Sequence, residues 1–277
     1  MRHEAYQEYE VGWRSVFDTA KALASQNGSN LQRVLNLLQR PTIPNENARM
    51  LDRFGYRLCG ERVRGISDYF YEPLLFELQL QNELLRAIDP DTANIVELGS
   101  GYSKNLFRIW FNGGPVKANY IGGEYTEAGR DCGQFLASLE PRIRYQSVPF
   151  DYYAPVFTNF DTNAKTFAFS CYSVEQIPQI DRRVFDALLA IPGLHRVVHI
   201  EPVGWQRRSW NVPFTSEWAL RRSMRRSAKA MHYNTNLLSV MESLERDGKV
   251  AIRQPIKFDF LAHRPNLPGS VIVWERA

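Results

Sequence analysis

Between residues 95 and 104 the chain reads IVELGSGYSK, which sets a carboxylate and two glycines, Glu97, Gly99 and Gly101, directly behind an apolar pair. Glycines so spaced let the backbone approach a ligand and adopt φ values closed to other residues. A dinucleotide fingerprint would need a third glycine at position 104, where Lys104 stands. That departure counts against a pyrophosphate packed on the following helix, and so against NAD. A carboxylate ahead of the first glycine suits a cationic or hydroxyl-bearing ligand better than a phosphate.

Two more acids follow at comparable places. Glu124 closes the apolar stretch ANYIGGEY, and Asp151 closes IRYQSVPFD. A carboxylate in the position of Glu124 can accept bonds from both hydroxyls of a ribose, because it offers several lone pairs. Asp151 can accept a bond from an exocyclic amine beside the rings of Phe150 and Tyr152. Taken singly, each acid reads equally well as a solvated surface group. Three acids at successive strand ends are less easily dismissed.

The elements that must position these residues follow from periodicity. Residues 4–26 read as a helix that NGSN breaks, LQRVLNLLQR as a second helix stopped by Pro41, and residues 67–88 as a third with Ser67 as N-cap. From residue 94 onward strands alternate with helices: NIVELG, ANYIGGEY, IRYQSVPFD, KTFAFSC and HRVVHIEP are the strands. Helices lie within residues 216–247, and the chain closes on two strands, residues 249–263 and 269–276, joined by the turn RPNLPG. The expected fold is α/β, a doubly wound, mostly parallel sheet with an antiparallel C-terminal strand, preceded by N-terminal helices. The expected division is a helical region over 1–89 and the α/β domain over 90–277. In sheets of this kind ligands bind beyond the carboxyl ends of the strands, which is where the three acids stand.

The totals agree with a globular chain. Of 277 residues, 44% are hydrophobic and 23% charged, and a net charge of +4 does not by itself call for nucleic acid. Three cysteines without a CxxC pair argue against a disulfide framework and a zinc site, and favour a reducing compartment. No metal is expected. The N-terminus MRHEAYQEYE has no apolar signal core and no stretch approaches a membrane span, so a cytoplasmic location and no membrane contact are expected.

The motifs VELGSGYSKN, GGEYTE, VPFDYY and FAFSCYSVEQIP, in that order, resemble those of class I S-adenosylmethionine-dependent methyltransferases. The resemblance covers roughly residues 90 to 277. It implies a Rossmann-like fold of seven strands whose last strand is antiparallel. It also implies S-adenosylmethionine as cofactor, with Glu97, Gly99 and Gly101 at its methionine portion, Glu124 at the ribose, and Asp151 with Phe150 at the adenine. The N-terminal helices would then be a substrate-covering addition. The segment SVEQIP is similar to family members that modify sugars and other small metabolites, as in natural-product biosynthesis.

Methyl transfer from a sulfonium requires positioning of the acceptor and exclusion of water. A hydroxyl acceptor also needs a base. Candidates stand at the fourth and fifth strands: Ser170, Tyr172, Ser173, Glu175, Gln176, His199 and Glu201. Period-2 alternation puts Val197, His199 and Glu201 on one face of the fifth strand. Glu175 and Glu201 rank ahead of His199, whose plainer reading is a buried histidine bonded to a neighbour. Tyr69, Phe70, Tyr71, Tyr152, Tyr153, Trp205 and Trp210 can wall a pocket, although such rings more often form core. Tyr69, Tyr71, Tyr172, Gln176 and Trp205 are the expected substrate contacts.

Residues 207–229 carry Arg207, Arg208, Arg221, Arg222, Arg225, Arg226 and Lys229 against the single acid Glu217, along a helical stripe of Leu220, Met224, Ala228 and Met231. A solvated basic face is preferred to a phosphate- or carboxylate-binding one. The leading expectation is O-methylation of a small molecule. The runner-up is N-methylation of an amine, an arginine or a peptide N-terminus. An RNA methyltransferase stands further back, because no RNA-binding module signature is present. A non-catalytic binder on the same fold is the alternative outside catalysis.

Overall fold

The computed structural model describes residues 2–38, 56–58, 61–63, 72–157, 160–207, 216–264 and 267–277. In chain order the elements are α1 (Arg2–Asn27), α2 (Leu31–Leu38), β1 (Tyr56–Leu58), β2 (Glu61–Val63), α3 (Glu72–Ala87), β3 (Asn94–Leu98), α4 (Lys104–Phe111), β4 (Asn119–Glu124), α5 (Glu127–Ser138), β5 (Arg144–Pro149), β6 (Thr166–Cys171), α6 (Arg183–Leu189), β7 (Leu194–Glu201), α7 (Ser216–Ala230), α8 (Leu237–Arg246), β8 (Val250–Ile252), β9 (Lys257–Arg264) and β10 (Leu267–Arg276). No described helix is long and apolar enough to cross a membrane.

The chain divides into two compact units. The first comprises Met1–Arg40, Leu85–Cys171 and Arg183–His195. Its strands run parallel in the order β5-β4-β3-β6. All five residues of β3 are buried, as a central parallel strand requires, whereas β5 at the edge is half-buried. In α2 the apolar face of Leu31, Val34 and Leu35 is buried, and its first turn is closed by Asn30, whose Oδ1 accepts the Arg33 N–H at 2.9 Å. Helix α1 packs along α5, with Phe17 against Phe135 at 5.7 Å between ring centres.

The second unit comprises Pro41–Leu84, Tyr172–Arg182 and Arg196–Ala277. Its strands are antiparallel: β10 pairs with β7, β8 and β9, and β1 with β2. The mixed α/β fold with antiparallel C-terminal strands is the one expected. Three details differ. The β1–β2 hairpin lies in a stretch expected to be mainly helical. The first C-terminal strand is split into β8 and β9 around Pro255, which lacks an N–H for the ladder. Finally, the stripe on α7 ends early: Met224 and Ala228 are buried, but Met231 lies beyond the helix and is 58% exposed.

Candidate active site

The first unit gathers the residues expected to hold a donor. Gly99 and Gly101 have φ of 68° and 54°, so the β3–α4 turn needs the left-handed conformation that glycine adopts most readily. The Gly101 N–H donates to Glu124 Oε2 at 2.8 Å, and Glu124 Oε1 accepts both the N–H and the hydroxyl of Thr126 at 2.9 and 2.7 Å. Thr126 in turn caps α5 through the Gly129 N–H. The expectation that Glu124 is open to two ribose hydroxyls needs correction. Of about four lone-pair positions on a carboxylate three are taken, which leaves one on Oε2.

Glu97 is buried inside this frame, and its Oε1 accepts Asn105 Nδ2 at 2.6 Å. No hydrogen bond of ordinary geometry reaches Oε2. Burial pushes its carboxyl up to about 8, against the opposing pull of Asn105 and Lys104. Lys104 opens α4 where the dinucleotide motif would have glycine.

Phe150 is buried and edge-on to Tyr152 at 4.9 Å, and Tyr152 donates its hydroxyl to Leu98 O at 3.0 Å. Gly123 permits this close approach, since a Cβ there would lie 3.1 Å from both Phe150 Cβ and Glu97 O. Asp151 Oδ1 accepts the Tyr153 N–H at 2.8 Å and so fixes the turn after β5. Glu97, Gly99, Gly101, Glu124, Phe150 and Asp151 therefore share one end of the parallel strands.

Helix α1 reaches the same place, which the sequence reading missed. Trp13 lies against the glycine turn: a Cβ on Gly101 would be 2.8 Å from Trp13 Cζ2, and the Trp13 ring is edge-on to Tyr102 at 5.6 Å. Tyr6 is edge-on to Tyr125 at 5.0 Å. Glu10 accepts the Ala128 N–H with both carboxylate oxygens, at 3.2 and 3.0 Å, and pairs with Arg14 at 2.9 Å. Burial acts to raise the Glu10 carboxyl, but the Ala128 N–H and Arg14 outweigh it and hold the group below its ordinary value. The signal was present in the spacing 6, 10, 13, 17, which marks one helical face.

The second unit holds the expected acceptor-side residues except Ser170, which lies in the first, and their duties are unequal. Glu201 does not project as an open acid. Its Oε1 accepts the Ser173 and Val174 N–H groups at 3.2 and 3.1 Å, and its Oε2 accepts the Glu175 N–H at 3.1 Å, so it anchors the 3-10 turn Val174–Gln176. His199 is 1% exposed and stacked on Trp274 at 6.3 Å, and burial lowers it to about 4. Val197 through Glu201 are all buried, so both faces of this part of β7 are covered. That placement gives His199 a core role and Glu201 an anchoring one.

Glu175 is buried, accepts Gln176 Nε2 at 2.8 Å, and gives its backbone carbonyl to the Asn234 N–H. Tyr172 adopts φ of 50° and is edge-on to Phe76 at 5.7 Å, and a Cβ on Gly269 would lie 2.8 Å from its hydroxyl. Trp205 is not a pocket wall. It is 5% exposed in a core cluster with Met224, Ala228 and Tyr233. Asp259, passed over in the sequence, is buried with φ of 50°, and its N–H donates to Ser270 Oγ at 3.0 Å. Tyr69 and Tyr71, with Phe70 and Trp210, lie outside the described residues.

No protein-family model matches the chain, and no curated protein sequence matches it. Solved structures do. Geranyl diphosphate C-methyltransferase from Streptomyces coelicolor A3(2), in complex with Mg2+, geranyl diphosphate and S-adenosyl-L-homocysteine, is 13% identical with a TM-score of 0.54, over 86% of this chain and 100% of that one. Magnesium protoporphyrin IX methyltransferase from Synechocystis PCC 6803, with bound SAH, is 8% identical with a TM-score of 0.50, over 78% of this chain and 90% of that one. The pyocyanin biosynthetic protein PhzM is 19% identical with a TM-score of 0.47, and the match spans 76% of this chain but only 61% of PhzM. The likeness is one of fold, the Rossmann-like fold of S-adenosylmethionine-dependent methyltransferases.

Proposed function

We propose that the chain transfers a methyl group from S-adenosylmethionine to a small-molecule acceptor. The observation that carries this reading is the gathering of Glu97, Gly101 and Glu124 at the ends of adjacent parallel strands, tied by the Gly101–Glu124 hydrogen bond. The residues present fit the donor's chemistry. Glu97 sets a buried carboxyl behind the glycine turn, Glu124 Oε2 keeps one position for a ribose hydroxyl, and Phe150 offers an apolar flank for adenine. When bound, the donor supplies a methyl group already activated by its sulfonium. The protein's own task is to bind, orient and exclude water.

The acceptor we favour is a hydroxyl of a sugar or natural-product scaffold. Glu175 is the preferred acceptor-side acid, because Glu201 is committed to three backbone N–H groups and His199 to the core. Gln176 would set the orientation of the Glu175 carboxylate through its 2.8 Å bond, and Tyr172 would add an aromatic contact. Titration calorimetry with S-adenosylmethionine tests the donor half: heat of binding is expected, and none would sink the reading. A screen of small-molecule extracts with isotope-labelled donor, read by mass and fragmentation, then separates O-methyl from N-methyl products.

A further inference from the structure

We infer that helix α1 belongs to the donor site and that Trp13 is the residue that closes it, an inference that rests on the donor reading above. Three contacts on one helical face support it. Trp13 lies on Gly101, the glycine whose N–H is bound by Glu124. Glu10 takes the Ala128 N–H in the first turn of α5, beside Thr126, which is itself bonded to Glu124. Tyr6 packs on Tyr125, the residue after Glu124. The C-terminal part of α1 packs side chain on side chain, Phe17 against Phe135, as any surface helix does. Its N-terminal part instead meets two turns, and both turns carry donor-binding residues.

An indole over bare glycine backbone makes an apolar wall that keeps water from the hydrogen bonds beneath it, where they are then stronger. A charged carboxylate at the start of α5 suits the positive end of that helix, so Glu10 holds α1 in register over the site. A donor lying along the Gly101 turn would leave only when Trp13 moves aside. Trp13 then acts mainly on the rate of release.

The test uses the full chain and S-adenosylhomocysteine as probe. Stopped-flow binding is measured for wild type, Trp13→Ala and Trp13→Phe, alongside hydrogen–deuterium exchange of α1 in wild type with and without the probe. Trp13→Ala is expected to release the probe roughly 10- to 100-fold faster, the range of a lost aromatic anchor. Trp13→Phe should stay within about threefold, because a ring remains. The α1 amides around Trp13 should exchange more slowly once the probe is bound. Release from Trp13→Ala at the wild-type rate overturns the inference. If that variant does not fold, unchanged α1 exchange in probe-saturated wild type overturns it equally. Failure of wild type to bind the probe at all would strike the donor reading instead.

Discussion

The carboxylate of Glu124 accepts the N–H of Gly101 at 2.8 Å, so the acid that ends β4 also ties down the glycine turn that follows β3. Removing it should do two things at once. Glu124→Ala loses its remaining ribose acceptor and leaves the Gly101 N–H without a partner. A hydrogen bond to a charged group contributes about 1.5–3 kcal/mol and a stranded buried donor costs about 1–3 kcal/mol. Donor affinity should fall by more than tenfold in calorimetry, and the melting temperature should drop in the same sample. Weakened binding with an unchanged melting temperature would show that the tie carries no stability.

Gly101 is constrained twice, by its φ of 54° and by Trp13. Gly101→Ala forces a side chain into the left-handed region, at roughly 1–2 kcal/mol, and drives its Cβ into the indole. Donor binding should weaken sharply, while Gly28→Ala, at φ of 81° with open space around it, should cost only stability. Equal donor affinity in the two variants would place the donor away from this turn.

Glu97 and His199 should tilt the stability profile in opposite directions. The Glu97 carboxyl is raised from 4.5 to about 8 by burial, so the folded state binds a proton that the unfolded state has lost. Its contribution therefore falls as pH rises from about 4.5 to about 8, and is level above that. Glu97→Gln keeps an acceptor for Asn105 and removes the titration. The variant should gain on wild type in denaturant midpoint across that window.

For His199 the value falls from 6.5 to about 4, again through burial. Here the unfolded state binds the proton, so stability is lost as pH falls through about 6.5 to 4. His199→Phe should flatten that acid limb. A turnover profile with a limb that disappears in His199→Phe would reinstate the histidine as a base.

Glu175 and Glu201 should separate. Glu201→Gln weakens the anchoring of three N–H groups and should lower the melting temperature, with donor binding intact. Glu175→Gln should leave the melting temperature near wild type and reduce turnover by ~10²–10⁴-fold if its carboxylate is the base. Full turnover in Glu175→Gln would remove it from the mechanism and direct attention to Asp259.

Local sequence was enough for the strand-turn-helix units and for the acids at their ends. Buried parallel strands must be short apolar runs, and a ligand turn between strand and helix shows as glycine. The aromatic face of α1 at residues 6, 13 and 17 is written in the spacing but was not read from it. What local sequence could not supply was the partner of each polar group. Alternation put His199 and Glu201 on a shared face of β7, but whether that face is open depends on what packs against it, and both sides of β7 proved buried. Glu201 looked like a free acid because the N–H groups it binds, those of residues 173–175, lie 26–28 positions away in the chain, and the Gly101 N–H that ties Glu124 lies 23 away, although its other partner, Thr126, is only two residues on. Trp205 looked like a pocket wall until α7 folded over it. A carboxylate or an indole carries the same chemistry in any sequence. Only the tertiary structure decides whether its lone pairs or its ring face are spent on the protein's own backbone and core, because burial and hydrogen-bond satisfaction belong to the space around a residue rather than to its neighbours in the chain.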